Sequence, residues 1–316
     1  MPLVRHRLDA TSRLAPQLAD PRFLDDGAPS SPAGVCSLLR ASDYLADRGL
    51  CTAIYLGLRL DQPLLLEGEP GVGKTEVAKA VAMSLGRTLV RLQCYEGIDS
   101  SEALYEWDYP RQLLYLRSVS DGTRGDAVDD LFSERFLLER PLLTALKAGH
   151  RAVLLIDEID RADDEFEAFL LELLSDFQIT IPEIGTVAAD RPPFVVLTSN
   201  RTRELHDALK RRCLYHWIDF PSLAQEVEIV RVRAPEVPAA LAKLVARTVA
   251  RMRALDLAKS PGVAETINWA RALGALGIEA VGDEGWGATL GAVMKDRDDL
   301  LRARTALQDL LADETR

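Results

Sequence analysis

The segment that most constrains the fold is a glycine-rich octapeptide between an apolar run and an amphipathic stretch. It follows Pro63-Leu64-Leu65-Leu66 and reads Gly68-Glu69-Pro70-Gly71-Val72-Gly73-Lys74-Thr75. In the spacing G-x-x-x-x-G-K-T, the glycines let successive backbone N–H groups turn inward on phosphate oxygens, and the positive end of the next helix adds to this attraction. The order of strand, turn and helix therefore predicts a cradle for a nucleoside triphosphate, rather than a glycine-rich turn without a ligand.

Two polar residues at the end of this loop have predicted chemical roles. Lys74 is expected to hold the β- and γ-phosphates, and Thr75 is expected to ligate Mg²⁺. The glycines and their neighbours from Gly68 to Gly73 are expected to contact the nucleotide through their backbone. ATP and Mg²⁺ are therefore the predicted cofactors.

A second strand ends in two carboxylates. Residues 151–158 read Arg-Ala-Val-Leu-Leu-Ile-Asp-Glu, which is apolar on both faces and predicts a buried parallel strand. Because ligands bind at the C-terminal edge of such a sheet, Asp157 is predicted to hold Mg²⁺ with its water shell. Glu158 is predicted to polarise the water that attacks the γ-phosphate. The alternative is a solvated strand end that leads into a turn, and the presence of a phosphate loop upstream favours the metal and water site.

A third strand and a short basic helix supply the remaining candidates. The strand 194–200 ends in Asn200, which is predicted to orient the lytic water; the alternative is that Asn200 caps the next helix. Residues 207–213 predict a short helix that carries Arg211 and Arg212. Surface arginines are usually solvated, but this pair lies where one subunit can present a guanidinium to the γ-phosphate of its neighbour.

In this order, the four elements resemble the Walker A, Walker B, sensor 1 and arginine-finger motifs of the AAA+ ATPases. Residues 158–162 (Glu-Ile-Asp-Arg-Ala) and 178–182 (Gln-Ile-Thr-Ile-Pro) are similar to the MoxR branch. Residues 91–97, 103–113 and 210–219 are similar to its CoxD-type group. The resemblance implies an α/β fold: a P-loop NTPase AAA+ core, with a parallel sheet flanked by helices, followed by a smaller α-helical lid domain. It also makes Arg212, rather than Arg211, the preferred arginine finger.

Composition changes along the chain and indicates three regions. Residues 1–36 mix Pro, Ser, Gly and Asp without periodicity and predict a flexible N-terminal arm. Residues 37–221 are the predicted AAA+ α/β nucleotide-binding domain, with an insert around 95–129. Strand signals stop after Pro221, so residues 222–316 are the predicted α-helical lid domain.

The resemblance assigns functions to two segments and leaves one element open. In MoxR relatives the insert, and a hairpin here near Thr180 to Ala188, face the central opening of a ring and are candidates for handling a client. The alternative is that the aromatic residues of the insert (Tyr105, Trp107 and Tyr109) pin it to its own core. Where MoxR relatives place the sensor 2 arginine, as Ser-Pro-Arg, this chain has Ser260-Pro261-Gly262, which leaves Arg271 as a candidate.

Net charge, hydrophobicity and cysteine content indicate which partners, location and redox state are expected. The formal net charge of −11 argues against a broad nucleic-acid face. No apolar run approaches the ~18 residues needed to span a bilayer, and the start lacks a signal-peptide core, so a cytoplasmic location is expected. The four cysteines are far apart in sequence and are expected to be reduced thiols, with a metal cluster as the alternative: Cys36, Cys51, Cys94 and Cys213.

The resemblance implies an ATP-hydrolysing chaperone that acts as a homo-oligomer, with a hexameric ring as the expectation. CoxD-type proteins are implicated in maturing molybdenum-containing carbon monoxide dehydrogenase or related hydroxylases. The predicted work is therefore the remodelling of a client metalloenzyme for metal or cofactor insertion, with a partner that bears a von Willebrand factor A domain. Membrane and nucleic-acid partners are not expected. Two alternatives stay open: a nucleotide-dependent switch or scaffold that recruits a partner, and a nucleic-acid-stimulated AAA+ motor.

Overall fold

The computed structural model describes residues 29–118, 130–278 and 284–311. Most of the predicted N-terminal arm and the end of the predicted insert lie outside these residues. The described strands are β1 (Leu64–Gly68), β2 (Thr88–Gln93), β3 (Tyr105–Trp107), β4 (Leu137–Glu139), β5 (Ala152–Asp157), β6 (Gln178–Ile181), β7 (Gly185–Ala188), β8 (Phe194–Ser199) and β9 (Leu214–Ile218). The helices that precede β9 are α1 (Pro32–Ala41), α2 (Arg48–Leu60), α3 (Lys74–Ser84), α4 (Ser100–Leu104), α5 (Tyr109–Ser118), α6 (Pro141–Ala148), α7 (Asp164–Asp176) and α8 (Asp207–Arg212).

The central sheet is parallel and five-stranded, in the order β2-β5-β8-β1-β9. Strand β8 therefore lies between β5 and β1, where Ile156 pairs with Leu197 and Glu67 pairs with Ser199. As a result, the carboxyl ends of the three strands that carry the predicted site residues meet at one edge. The predicted α/β fold, a parallel sheet flanked by helices, is confirmed.

Both faces of the sheet are buried, as the apolar strand sequences predict. Along β5, Val153 and Leu155 pack with the cluster that contains α2 and α3, whereas Leu154 and Ile156 pack with the cluster that contains α6 and α7. Successive side chains of a strand point to opposite faces, so a run that is apolar at every position can belong only to a strand covered on both sides. The polar residues are thereby left to the strand ends.

The N-terminal region differs from two expectations. Helix α1 begins at Pro32, where Ser31 Oγ accepts a hydrogen bond from the Gly34 amide (3.1 Å), so the predicted boundary of the arm at residue 36 falls inside a helix. The expectation of four reduced thiols is wrong for one pair: α1 packs against α2, brings the Cα atoms of Cys36 and Cys51 to 5.5 Å, and the two form a disulfide. Burial raises the pKa of each of the two free thiols, Cys94 and Cys213, to about 12.

The predicted insert and hairpin are both ordered in the described residues. Strands β3 and β4 pair antiparallel, and Trp107 is buried edge-on against Tyr105 and Phe132, with ring centroids at 6.2 and 5.3 Å. Trp107 therefore pins the insert to its own core, whereas Tyr109 is 59% exposed. Strands β6 and β7 form the antiparallel hairpin that is predicted near Thr180 to Ala188.

The C-terminal region is helical. Its helices are α9 (Leu223–Arg233), α10 (Ala239–Met252), α11 (Val263–Ala275), α12 (Gly285–Ala288), α13 (Leu290–Val293) and α14 (Arg297–Leu311). A capping box at Ser222 starts α9 directly after the last strand, and a hydrophobic core with edge-to-face Trp269 and Trp286 holds the helices together. We call these helices the lid; its exact limits stay a prediction. None of the described helices is long and apolar enough to cross a membrane.

Candidate nucleotide site

The glycine-rich segment forms the turn between β1 and α3. Gly71 and Gly73 have φ values of +81° and +98°, which L side chains rarely adopt, so the turn requires glycine at both positions. Gly73 is the N-cap of α3, whose first residues are Lys74 and Thr75. The loop and the free amides of the first helical turn therefore have the arrangement that binds phosphate elsewhere.

The ammonium group of Lys74 lies across this turn. Its Nζ donates to the carbonyl oxygens of Gly68 (2.6 Å) and Glu69 (2.9 Å). Burial lowers the pKa of Lys74, and four carboxylates, led by that of Asp160, oppose this shift. The buried cation is thus held by neutral oxygens at the mouth of the loop, in reach of an incoming anion.

Asp157, at the end of β5, contacts residues on β2, β8 and the first turn of α3. Its carboxylate is 2% exposed, and Oδ1 accepts hydrogen bonds from the hydroxyls of Thr75 (2.9 Å) and Thr198 (2.6 Å). Oδ2 accepts from Nε (3.1 Å) and Nη2 (2.5 Å) of Arg91 on β2. The structure thus brings together Thr75 and Asp157, the two predicted Mg²⁺ ligands, although they lie in separate elements.

These residues fit Mg²⁺. A hydroxyl and a carboxylate are hard oxygen donors, and Mg²⁺ is usually held by one or two protein groups, with phosphate oxygens and waters completing its shell. Within the described residues, no group of three or more His, Cys, Asp and Glu side chains has the arrangement of a metal site.

Glu158 is held in an uncommon backbone conformation directly after β5. Its φ is +56°, which costs a non-glycine residue of order 1 kcal/mol, and its amide donates to Thr198 Oγ1 (2.9 Å). The carboxylate accepts from Gln93 Nε2 (3.0 Å) and pairs with Arg161 Nε (3.0 Å). The surrounding strands therefore aim Glu158 into the site, and both neighbours contact the same carboxylate oxygen, Oε2.

Asn200 immediately follows β8, between the ends of β1 and β5. The alternative prediction, that Asn200 caps the next helix, is wrong, because α8 begins after His206. The loop beyond Asn200 is tied down by Asp160, whose Oδ2 accepts from the amide (2.8 Å) and hydroxyl (2.6 Å) of Thr202. Asp160 is itself 2% exposed, so a buried carboxylate holds the loop two residues after Asn200.

Arg211 and Arg212 lie in the last turn of α8, and both are exposed. Arg212 Nη1 donates to the hydroxyl of Ser175 on α7. Both guanidinium groups are therefore on the surface, available to another molecule. Arg271 has a different environment: Nε donates to Glu236 Oε1 (2.8 Å) and Nη2 donates to the Arg233 carbonyl (2.5 Å), so it is engaged within the lid.

A cavity of ≈ 360 Å³ adjoins the phosphate loop. Its walls come from the turn before α2, the loop, the end of β9 and the lid, and their apolar members include Tyr44, Leu50, Val72, Ile229 and Ile267. Burial raises the pKa of Tyr44, so its phenol stays neutral. A mostly apolar cleft of this size beside a phosphate site suits a nucleobase and sugar.

Sequence reasoning missed several contributors to the site. Arg91, Gln93 and Thr198 contact predicted site residues, and Asp160 holds Thr202 in the loop after Asn200, yet none of the four follows from a motif with a physical mechanism. The sequence did indicate Thr198, because this residue lies two positions before Asn200 on a strand that is predicted to end at the site. The cavity residues outside the phosphate loop carried no signal, because they come from distant parts of the chain.

The fold and the site define a P-loop nucleoside-triphosphatase architecture. The profile of the AAA domain (dynein-related subfamily) matches residues 63–213, from the start of β1 to the end of α8. NorQ from Paracoccus denitrificans is 28% identical over 177 residues, which is 54% of this chain and 57% of NorQ. The matched segment and the site geometry support an AAA+ P-loop ATPase, and the similarity to NorQ supports the MoxR-like group; proteins of this class use ATP with Mg²⁺. The narrower CoxD-type resemblance stays a prediction.

Other similar proteins match the same region. An uncharacterized protein from Staphylococcus saprophyticus is 26% identical over 170 residues, covering 52% of this chain and 57% of that protein. Midasin from Giardia intestinalis is 27% identical over 167 residues, covering 52% of this chain and 3% of midasin. The chain thus spans little more than half the length of the Staphylococcus protein and a small part of midasin. The Thermotoga maritima RuvB Holliday junction branch migration motor is 18% identical with a TM-score of 0.45, over 88% of this chain and 75% of RuvB.

Proposed function

We propose that this chain hydrolyses ATP at an interface between subunits and uses the energy to remodel a client protein. The observation that carries the proposal is the contact of Thr75 with Asp157, next to Glu158. It supports a site in which a phosphate loop, a cation site and a carboxylate base converge at one sheet edge. The same edge also carries Asn200.

In this proposal each predicted residue has one role. The loop amides and Lys74 bind the phosphates, and Thr75 and Asp157 would hold Mg²⁺, which neutralises charge on the β- and γ-phosphates when bound. Asn200 orients a water, and Glu158 takes its proton as the water oxygen bonds to the γ-phosphorus. The bond from that phosphorus to the β–γ bridging oxygen breaks, so that ADP and phosphate are the products.

The charge that develops on the transferring phosphoryl group needs a further cation. We assign this role to Arg212 of a neighbouring subunit, with Arg211 as the alternative, because both lie exposed at the end of α8. Guanidinium groups are permanently charged and match phosphoryl oxygens in geometry. The proposal therefore requires a homo-oligomer, for which a hexameric ring is the family expectation.

The client would meet the insert and the β6–β7 hairpin. A groove between these elements combines the carboxylates of Asp99, Glu102 and Glu106 with the rings of Tyr105 and Tyr109. Such a surface suits a segment with basic and apolar side chains. The resemblance to the CoxD-type group suggests a cytoplasmic molybdenum-containing hydroxylase or a related metalloenzyme as client, and a partner with a von Willebrand factor A domain.

The proposal is tested by the mass and activity of the wild-type protein. We expect a defined oligomer to form with ATP and Mg²⁺, and the turnover per subunit to rise with protein concentration, because each site needs a second subunit. Mass can be followed by light scattering after size exclusion, and turnover by phosphate release. A monomer that binds ATP without turnover would favour the switch. Stimulation of turnover by DNA at low salt would favour a nucleic-acid motor.

A further prediction concerns Gln93. Replacing Gln93 with alanine removes the amide that occupies the Glu158 carboxylate, and we expect basal turnover to rise by about tenfold with ATP affinity unchanged. A hydrogen bond to a charged group contributes ~1.5–3 kcal/mol, and ~1.4 kcal/mol is tenfold in rate. Gln178→Ala, an exposed glutamine on β6, is the matched control. A basal rate at or below that of the wild type would show that Gln93 does not restrain Glu158.

A further inference from the structure

The lid touches the phosphate loop through the backbones of two glycines. The Val263 amide donates to the Gly71 carbonyl (2.9 Å). A Cβ atom added to Gly262 would lie 2.6 Å from Gly71 Cα and 2.7 Å from its carbonyl oxygen, and one added to Gly71 would lie 2.8 Å from Gly262 Cα. Since real Cβ contacts are not this short, the approach requires glycine on both sides.

The two glycines are required for different reasons. Gly71 has positive φ, so the turn itself demands glycine there. Gly262 has φ −83° and ψ −178°, a conformation open to any residue, and its amide donates to Glu265 Oε2 (3.1 Å) in a capping interaction at the start of α11. A Cβ at position 262 would also lie 2.8 Å from Glu265 Oε2, but that is the end of a flexible side chain, so the phosphate-loop backbone is the obstacle that cannot move aside cheaply.

A buried polar network holds the Gly262 segment from behind. Arg253 donates to both carboxylate oxygens of Glu226 (2.7 and 2.6 Å) and, through Nε, to the Pro261 carbonyl (2.7 Å). Thr266 Oγ1 donates to the same carboxylate (2.7 Å), and both Thr266 and Glu226 are fully buried. These hydrogen bonds hold the segment before α11 against α9. Breaking them is costly, because it would leave buried charges without partners.

The same network reaches the connection between sheet and lid. The guanidinium carbon of Arg253 lies 4.4 Å from the centroid of the Phe220 ring, and Phe220 precedes α9 in the chain. Phe220, Val263 and Ala264 also line the cavity beside the phosphate loop. Movement of the loop at Gly71 therefore acts on α11 and on the cavity wall together.

We infer that Gly262 is a positioning residue that couples nucleotide occupancy of the phosphate loop to the lid through its backbone contact with Gly71. In this chain the contact takes the place of a lid arginine, since the start of α11 has glycine and Arg271 is engaged with Glu236 and Arg233. The inference rests on the proposed function. It specifies how the site closes on the nucleotide.

The test compares Gly262→Ala with Gly274→Ala in the full chain. Both add one methyl group to the same segment, but a Cβ at Gly274 meets only Val237 Cγ2 at 3.7 Å, an ordinary contact. ADP affinity is measured by calorimetry, and amide hydrogen exchange of residues 262–267 is measured with and without ADP. We expect wild type, Gly274→Ala and Arg271→Ala to bind ADP alike and to gain protection at Val263. Gly262→Ala should bind about tenfold more weakly and show no ADP-dependent change there.

The outcomes separate the inference from the proposed function. If the wild type binds no nucleotide, the proposed function fails. If the wild type binds and Gly262→Ala matches it in affinity and exchange, the inference alone is overturned. Exchange in α10 reports whether the lid of the variant is folded. If it is not, Arg253→Lys decides instead, because lysine keeps the charge but lacks the planar fork that binds both Glu226 oxygens and the Pro261 carbonyl at once. That variant should lose several-fold in ADP affinity with the same missing response at Val263, and wild-type behaviour would overturn the inference.

Discussion

Replacing Arg212 with alanine is expected to lower ATP turnover by ~10³-fold or more, with ATP binding and assembly retained. The loss is large because a guanidinium that stabilises the transferring phosphoryl group acts only in the transition state. In the single chain, Arg212 contacts Ser175 rather than the phosphate loop. We therefore expect its effect to appear in the site of a neighbouring subunit, and phosphate release measured at saturating ATP gives the rate.

Three controls locate the effect. Ser175→Ala removes the contact within the chain and should leave turnover unchanged, which separates a structural role of Arg212 from a catalytic one. Arg211→Ala, a change of the same kind in the same helical turn, should have the smaller effect. Mixing Arg212→Ala with Lys74→Ala subunits should restore part of the activity, because an intact nucleotide site then meets an intact arginine. Absence of rescue in verified mixed oligomers would contradict a shared site.

Glu158→Gln is expected to lower turnover by ~10²–10⁴-fold while ATP binding stays close to that of the wild type. The amide has nearly the shape of the carboxylate and its oxygen can still accept from Gln93, but it cannot take a proton from water. Single-turnover hydrolysis and equilibrium binding of ATP are the two measurements. The variant should accumulate as an ATP-bound oligomer, which provides a means to capture the client.

Glu165→Gln is the matched control for this prediction. Glu165 is an exposed carboxylate in the first turn of α7, seven residues after Glu158. Its replacement by glutamine should leave turnover unchanged. Wild-type turnover in Glu158→Gln would remove Glu158 as the base. Loss of ATP binding in that variant would instead indicate that the carboxylate supports the structure of the loop.

Two outcomes differ from what the sequence suggested, and the role of a third position was not readable from it. The disulfide between Cys36 and Cys51 depends on the packing of α1 against α2. The spacing of the cysteines in the sequence does not predict this packing. The capping alternative for Asn200 failed because the loop after β8 runs to His206 before a helix begins. The sequence shows that glycine replaces the arginine of Ser-Pro-Arg at position 262. It does not show the role of this glycine, because the residue that Gly262 contacts, Gly71, lies in another element.

The sequence by itself determined the phosphate loop, the strands that end in Asp157 and Asn200, and the α/β class. Each of these depends on contiguous residues, so that backbone preference and apolar periodicity specify it locally. Only the tertiary structure decided which side chains hold Glu158 and Asp157, how the cavity is walled, and where the lid meets the loop. These features depend on contacts between residues far apart in the chain, and their geometry arises only when the strand order and the packing of the lid place them together.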